Sequence, residues 1–426
     1  MYRKTVLENG IRVVTERMPD VRSLTIGLVL DIGSKDETLA NNGLAHCIEH
    51  SLFKGTTGRD AASLARMIDL AGGQMGAFTT RDYTCLFAAV LDDYRTYALD
   101  IFGDVLLHSL FDAEGLRREQ EAILQEIEAS DEKPDKLAQD TLKQLAWFGH
   151  ALGQPIFGRR KVVANFSRET LLNFFSQHYT ADKLIVSAAG NVQHDDFVAQ
   201  VYDALWALPR GSDLDAPTTR CSPKFKSGIV LRPRDSAHIY FALGAPAPGY
   251  SDERRYAVFV LNNLLGGGMS SRLYQNVRDE RGWVYEIGSN YHPYRDAGMM
   301  VVEGFTTSAN FLPVMSVVVE QLIDLQNQPV TDEELWRAKE RLRGEILIGA
   351  EASNTRMSQL ATQELYFGRF LPLAELVEGV RNVNTAEVME MVTEIFQPGE
   401  LALAAIGPFD DLESDKTELE GLLGLN

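Results

Sequence analysis

The chain has 426 residues, 45% hydrophobic and 24% charged, more than one ordinary core holds and enough apolar material for two domains of roughly 200 residues each. Lysine and arginine number 41 against 60 aspartates and glutamates, a formal net charge of −19; this argues against nucleic acid as a partner, because phosphate binding needs clustered cations, and favours basic peptides. Three scattered cysteines, Cys47, Cys85 and Cys221, do not make a disulfide framework. With no apolar signal stretch in MYRKTVLENGIRVV and no later run near the ~18 apolar residues of a span, a cytoplasmic protein without a membrane span is expected.

In chain order, residues 4–7 and 11–16 are expected as strands around Glu8-Asn9-Gly10, where Asn-Gly favours a tight turn with positive φ. Residues 23–31 (SLTIGLVLD) form a third strand, rich in β-branched and aliphatic side chains. Helices are expected at about 43–54, 60–71, 92–108, 113–131, 135–147 and 168–178, after which 184–189 returns as a strand. Strands, then helices, then a strand indicate an α+β layer and not a regular βαβ repeat.

Residues 208–228 interrupt every periodicity with prolines, glycines and serines, which marks a linker. The expected division is a first domain over 1–208, a linker over 209–228 and a second domain over 229–426. The second half repeats the first: 168–192 and 385–409 share a helix, a short turn, an apolar strand and a glycine. DYTCLFAAVLDDYRTYALDIFGDVLLHSL has a counterpart in AGMMVVEGFTTSANFLPVMSVVVEQLIDL. Two homologous α+β domains follow, each an antiparallel-rich sheet packed with helices.

The chemistry concentrates in AHCIEH. On a helix each residue turns about 100°, so His46, Glu49 and His50 project from one face while Leu44, Ile48 and Leu52 occupy the other. Two imidazoles one turn apart can reach one Zn²⁺, and a glutamate beside them can act on water activated there. Cys47 lies off that face and is expected to pack. A third protein ligand is needed. The helix LRREQEAILQEIEASDEKPD offers Glu119 and Glu126, two turns apart on one stripe, and by geometry either could face a cavity.

H-x-x-E-H followed by a glutamate 76 positions after the second histidine resembles the inverted zinc motif of the pitrilysin, insulin-degrading enzyme and mitochondrial processing peptidase family. The likeness covers nearly the whole chain, through LENGIRVV, DIGSKDE, FKGT, AFTTRDYTC, QEIEASDEKP, HYTADKLIVSAAGNV and LLGGGMSSRLYQNVRDERGWVYEIGSNY. It is closest in kind to the family's short-chain, bacterial-type processing peptidases. The resemblance implies His46, His50 and Glu126 as ligands of Zn²⁺, Glu49 as general base and Glu119 as a carboxylate that orients a ligand histidine. It implies Arg278 and Tyr285, in the second domain, as substrate-binding groups that stabilise the tetrahedral intermediate; Arg281 is the nearby arginine that does not match. Ala77, Phe78 and Thr79 would bind an extended peptide as an added strand. The sequence departs from the family at Gly76, where an asparagine is usual, so a side-chain amide contact to the substrate is lost there.

A zinc metalloendopeptidase cutting basic, extended or unfolded peptides is therefore expected. By the resemblance, one chain forms half of a clamshell chamber, completed by a second copy in a homodimer or by a paralogue. A non-catalytic scaffold of the same fold, or a chamber that binds peptides without cutting them, are the alternatives. The Gly266-Gly267-Gly268 run lacks the spacing and lysine of a phosphate loop, so it reads as a flexible loop at a cavity mouth.

Overall fold

The computed structural model describes residues 1–211 and 223–425; most of the expected linker, and Cys221 with it, lies outside the described residues. The chain divides into two compact units, each built on one sheet.

The first sheet has six strands, β1 (Tyr2–Val6), β2 (Arg12–Arg17), β3 (Ser23–Leu30), β4 (Gln74–Thr79), β5 (Thr84–Leu91) and β6 (Leu184–Gly190), in the order β1-β2-β6-β3-β5-β4. Every neighbouring pair is antiparallel except β2 and β6. The β1–β2 turn closes through the Leu7 and Gly10 amides, with Gly10 at φ +100° as its Asn-Gly sequence requires. The second sheet has five strands, β7 (Gly228–Pro233), β8 (Ile239–Ala247), β9 (Val284–Pro293), β10 (Gly298–Thr306) and β11 (Ala402–Gly407), in the order β7-β11-β8-β10-β9. Here too a single pair, β7 and β11, is parallel. The internal repeat is thus visible in the topology: helix Arg168–His178 leads into β6 as helix Thr385–Ile395 leads into β11. The fold is α+β in two homologous parts.

The units do not follow the two halves of the sequence. Helix Pro134–Ala146 lies in the second unit and helix Ser353–Phe367 in the first. The cause is that both sheets are apolar on both faces: β3 is buried at every position but its first, and β6 at all of them. Helices of the same half cover one face. The other face of the first sheet, with Val14, Val29, Cys85 and Ile185, is covered by Met357, Leu360, Ala361 and Leu365; that of the second, with Ala242, Val301 and Ala404, by Ala138, Leu142 and Ala146. Contact is close enough that a Cβ on Gly27 would stand 2.2 Å from the Met357 sulfur. Arg356 seals the first of these layers through Glu16 at 2.7 Å. A division at 208/229 therefore misplaces Glu128–Gly153 and Ile348–Leu371. Helix Ser308–Asn327 is long and apolar enough to cross a membrane by length and composition; in this fold it is a core helix, burying Phe311, Val314, Met315 and Val318 in the second unit.

Candidate metal centre

Helix Leu44–Leu52 sets the site. Leu44, Ala45, Cys47, Ile48 and Leu52 are essentially inaccessible, so the apolar stripe locks the helix into the first core and leaves His46, Glu49 and His50 on the opposite face, towards helix Ala113–Asp131. Its first turn is held by a buried carboxylate: Glu37 accepts from the Gly43 and Ala45 amides at 2.7 and 2.8 Å and from the Asn42 side chain at 3.1 Å. Burial pushes the Glu37 carboxyl up to about 7, against the pull of those donors. Gly43, at φ +97°, leaves no room for a side chain, since a Cβ would meet the Gly158 Cα at 2.6 Å. Glu37 sits in the DIGSKDE stretch, yet no periodicity links it to a helix that starts several residues later.

Glu126, on helix Ala113–Asp131, brings Oε2 to 3.6 Å from His46 Nε2 and 3.5 Å from His50 Nε2. One ligand atom from each of the three lies within 4.8 Å of the others. Two donors on one tetrahedral zinc, with bonds of about 2.0–2.2 Å, stand about 3.3–3.6 Å apart, so the residues fit the ion. Burial, then the neighbouring His50, lower the His46 pKa to about 3, which keeps the imidazole neutral and its lone pair available. Glu119, two turns before Glu126, lies 3.3 Å from His50 Nδ1 and 2.9 Å from Lys54 Nζ. By accepting from Nδ1 it leaves Nε2 to face the centre. The two glutamates that spacing could not separate are told apart by which imidazole nitrogen they meet. Cys47 is fully buried and its thiol is pushed up to about 12 by that burial, so it packs and does not ligate.

Glu49 is outside the ligand set. Its Oε2 accepts a hydrogen bond from Thr79 Oγ1 at 2.6 Å. Burial raises its pKa above the usual carboxylate range, opposed by that bond and by His50. Thr79 ends β4, the edge strand of its sheet, paired only with β5. Ala77 and Phe78 precede it on the same open edge, and the Phe78 ring leans on Tyr83 and Phe87. At Gly76 a Cβ would stand 3.3 Å from the opposing Phe87 ring, a tight contact that a shift of a few tenths of an ångström would relieve.

In the second unit, Arg278 stands on a π-turn, Tyr274–Asp279, and Tyr285 near the start of β9. The guanidinium lies 4.6 Å from the Tyr274 ring centre and 5.6 Å from that of Tyr285, and donates to the Tyr274 hydroxyl. Both line a cavity of about 820 Å³. Tyr285 is 74% exposed. Arg281 does not line it; it donates to the Asn276 carbonyl and to Glu280. The glycine run belongs to this cavity for a reason other than flexibility: a Cβ on Gly266 would stand 2.2 Å from the Ser289 nitrogen and one on Gly268 1.5 Å from Arg341 Nη1. These glycines permit close packing, and none of the three has a positive φ.

A sequence model described as insulinase, peptidase family M16, matches residues 12–160, and one described as the peptidase M16 inactive domain matches 165–342. The chain is 33% identical to the uncharacterised zinc protease YmxG of Bacillus subtilis over 97% of its length and 100% of that protein's. It belongs to peptidase family M16. This M16 chain is also 34% identical to an uncharacterised zinc protease of Mycobacterium leprae, over 95% of its own length and 92% of the relative's. The fold matches the crystal structure of a protease from Helicobacter pylori with a TM-score of 0.88 at 19% identity, covering 96% of this chain and 100% of that one. The resemblance drawn from the zinc motif and its flanking segments is borne out at the level of the family.

Proposed function

We propose that the chain is a zinc-dependent endopeptidase that hydrolyses extended peptides and unfolded segments. The observation carrying this reading is the His46, His50 and Glu126 donor set, with ligand atoms within 4.8 Å of one another, and a carboxylate, Glu49, beside it but outside it. Held by His46, His50 and Glu126, zinc would supply Lewis acidity and lower the pKa of water enough for it to give up a proton near neutral pH. Glu49, with its proton affinity raised by burial, takes the proton on Oε1 and passes it to the leaving amine. Glu119 keeps His50 in the tautomer that presents Nε2. The open edge of β4 takes the peptide as an added strand along Ala77, Phe78 and Thr79 through main-chain hydrogen bonds, which need no side chain at Gly76. Arg278 and Tyr285 bind substrate and offset negative charge developing on the scissile carbonyl.

The net charge of −19 supports a preference for basic peptides, and the family resemblance supports a homodimer or a pair with a paralogue. The description of residues 165–342 as an inactive domain favours a second reading, a relative that binds peptides without cutting them. That match, however, lies outside all four of His46, Glu49, His50 and Glu126.

The test is zinc content together with cleavage of an unfolded basic peptide by the wild type and by Glu49→Gln. The variant is expected to keep its zinc and to lose about 10²–10⁴-fold in cleavage rate, while a chelator stops the wild type and compact globular proteins are spared. A wild type that holds zinc and leaves the peptide whole would establish the binding reading instead.

A further inference from the structure

Along β4 the side chains alternate. Met75 and Ala77 pack on the first core, where the histidine helix is also seated, and Phe78 points to the other face against Tyr83 and Phe87. Thr79 shares the face of Met75 and Ala77, and its register is set by pairing with Thr84. The strand therefore delivers the Thr79 hydroxyl to Glu49 Oε2 at 2.6 Å. A threonine hydroxyl has one proton, and here it is committed to that oxygen; the backbone amide of Thr79 is a second donor to the same carboxylate. With Oε2 held by Thr79, Glu49 stands beside the three donors His46, His50 and Glu126 without being one of them.

We propose that Thr79 is a positioning residue for the base. Its hydroxyl pins one oxygen of Glu49, aims the other at the reacting water, and keeps Glu49 out of the ligand set. The aim of the base is thereby tied to the edge strand on which the substrate docks. This rests on the hydrolytic reading above.

The test compares the full-length wild type with Thr79→Val, Thr79→Ala and Thr79→Ser. Valine is close in shape to threonine and keeps the backbone amide but offers Glu49 no side-chain proton, and serine restores the hydroxyl donor without the methyl group. Thr79→Val and Thr79→Ala are expected to bind zinc as the wild type does and to lose about 10–100-fold in kcat on an unfolded peptide, with KM little changed, because a small displacement of a reacting group costs that much. Thr79→Ser should recover most of the loss. With Co²⁺ in place of zinc, the visible absorption of Thr79→Val should shift as Glu49 gains access to the ion, and that of Thr79→Ser should not. Wild-type kcat in Thr79→Val overturns the proposal, as does a Thr79→Ser variant no better than Thr79→Ala. If the wild type itself cuts nothing, the hydrolytic reading fails; the cobalt spectra still show whether Thr79 holds Glu49, and an unshifted Thr79→Val spectrum overturns the inference.

Discussion

The two units share a strand order and differ in what their helices carry. In the first, helix Leu44–Leu52 (LAHCIEHSL) faces helix Ala113–Asp131 with two histidines and three carboxylates between them. In the second, helix Arg255–Leu265 (RYAVFVLNNLL) has neither a histidine nor an acidic residue, and the polar feature is an arginine lying over aromatic rings in a cavity of about 820 Å³. The frame is built by apolar alternation that both halves possess, so it survives duplication. The chemistry depends on a handful of buried polar groups that must each find a partner, and such groups are costly to keep where nothing uses them. One copy of the fold carries a donor set that fits a metal ion, and the other carries an arginine among aromatic rings at the wall of a cavity.

That contrast can be broken most decisively at Glu126. Glu126→Ala removes one of three donors, and zinc binding and peptidase activity are expected to fall together by well over the ~100-fold that an outer partner costs, read by metal analysis after dialysis and by peptide cleavage. Glu119→Gln tests the outer partner itself: a ~10–100-fold weaker zinc affinity, measured against a competing chelator, with the fold intact by circular dichroism. Retention of full affinity would make Glu119 an ion-pair partner of Lys54 and nothing more. In the second unit the effect should be smaller and of another kind. Arg278→Ala is expected to lower kcat/KM by about tenfold or more without touching zinc content, as the loss of one donor to the scissile carbonyl implies, whereas Arg281→Ala should change cleavage little. Equal losses in the two variants would remove the distinction drawn between them.

The smallest expected effect is a pH dependence in the metal-free protein. The folded pKa of His46 is lowered to about 3 from 6.5. The unfolded chain therefore takes up a proton that the folded site refuses, and stability present above about pH 6.5 is lost as the pH falls towards about 3. Glu37 has the opposite sign: its folded pKa is raised from 4.5 to about 7, so its contribution declines as the pH rises through that window. The two overlap, and the difference between the melting temperatures of the wild type and His46→Gln isolates the histidine. That difference should shrink steadily from pH 6.5 to pH 4.5 as the wild type loses its advantage. A constant difference would show that His46 is not desolvated.

Much of this was legible from local pattern. The helix over 43–54 is seen as Leu44–Leu52 and that over 113–131 as Ala113–Asp131, and the strand over 184–189 as β6. These are runs whose apolar periodicity is unambiguous. His46, Glu49 and His50 share a face because 100° per residue leaves no other outcome once the helix forms. The turn at Gly10 follows from Asn-Gly in the same local way.

Only the tertiary structure decided the rest. Which carboxylate meets which imidazole nitrogen depends on where helix Ala113–Asp131 crosses the histidine helix, and a seven-residue spacing puts Glu119 and Glu126 on one stripe without saying which end arrives. The support from Glu37 reaches the start of the next helix through a loop, and the tether from Thr79 joins Glu49 from a strand edge 30 residues away; neither the loop nor the edge has a period that encodes its partner. The exchange of helices Pro134–Ala146 and Ser353–Phe367 was equally hidden: an amphipathic pattern states that a face must be buried and is silent about which sheet buries it. Secondary structure is short-range sterics and periodicity, and is written in the sequence; the choice among equally apolar surfaces is made by the packing of the whole.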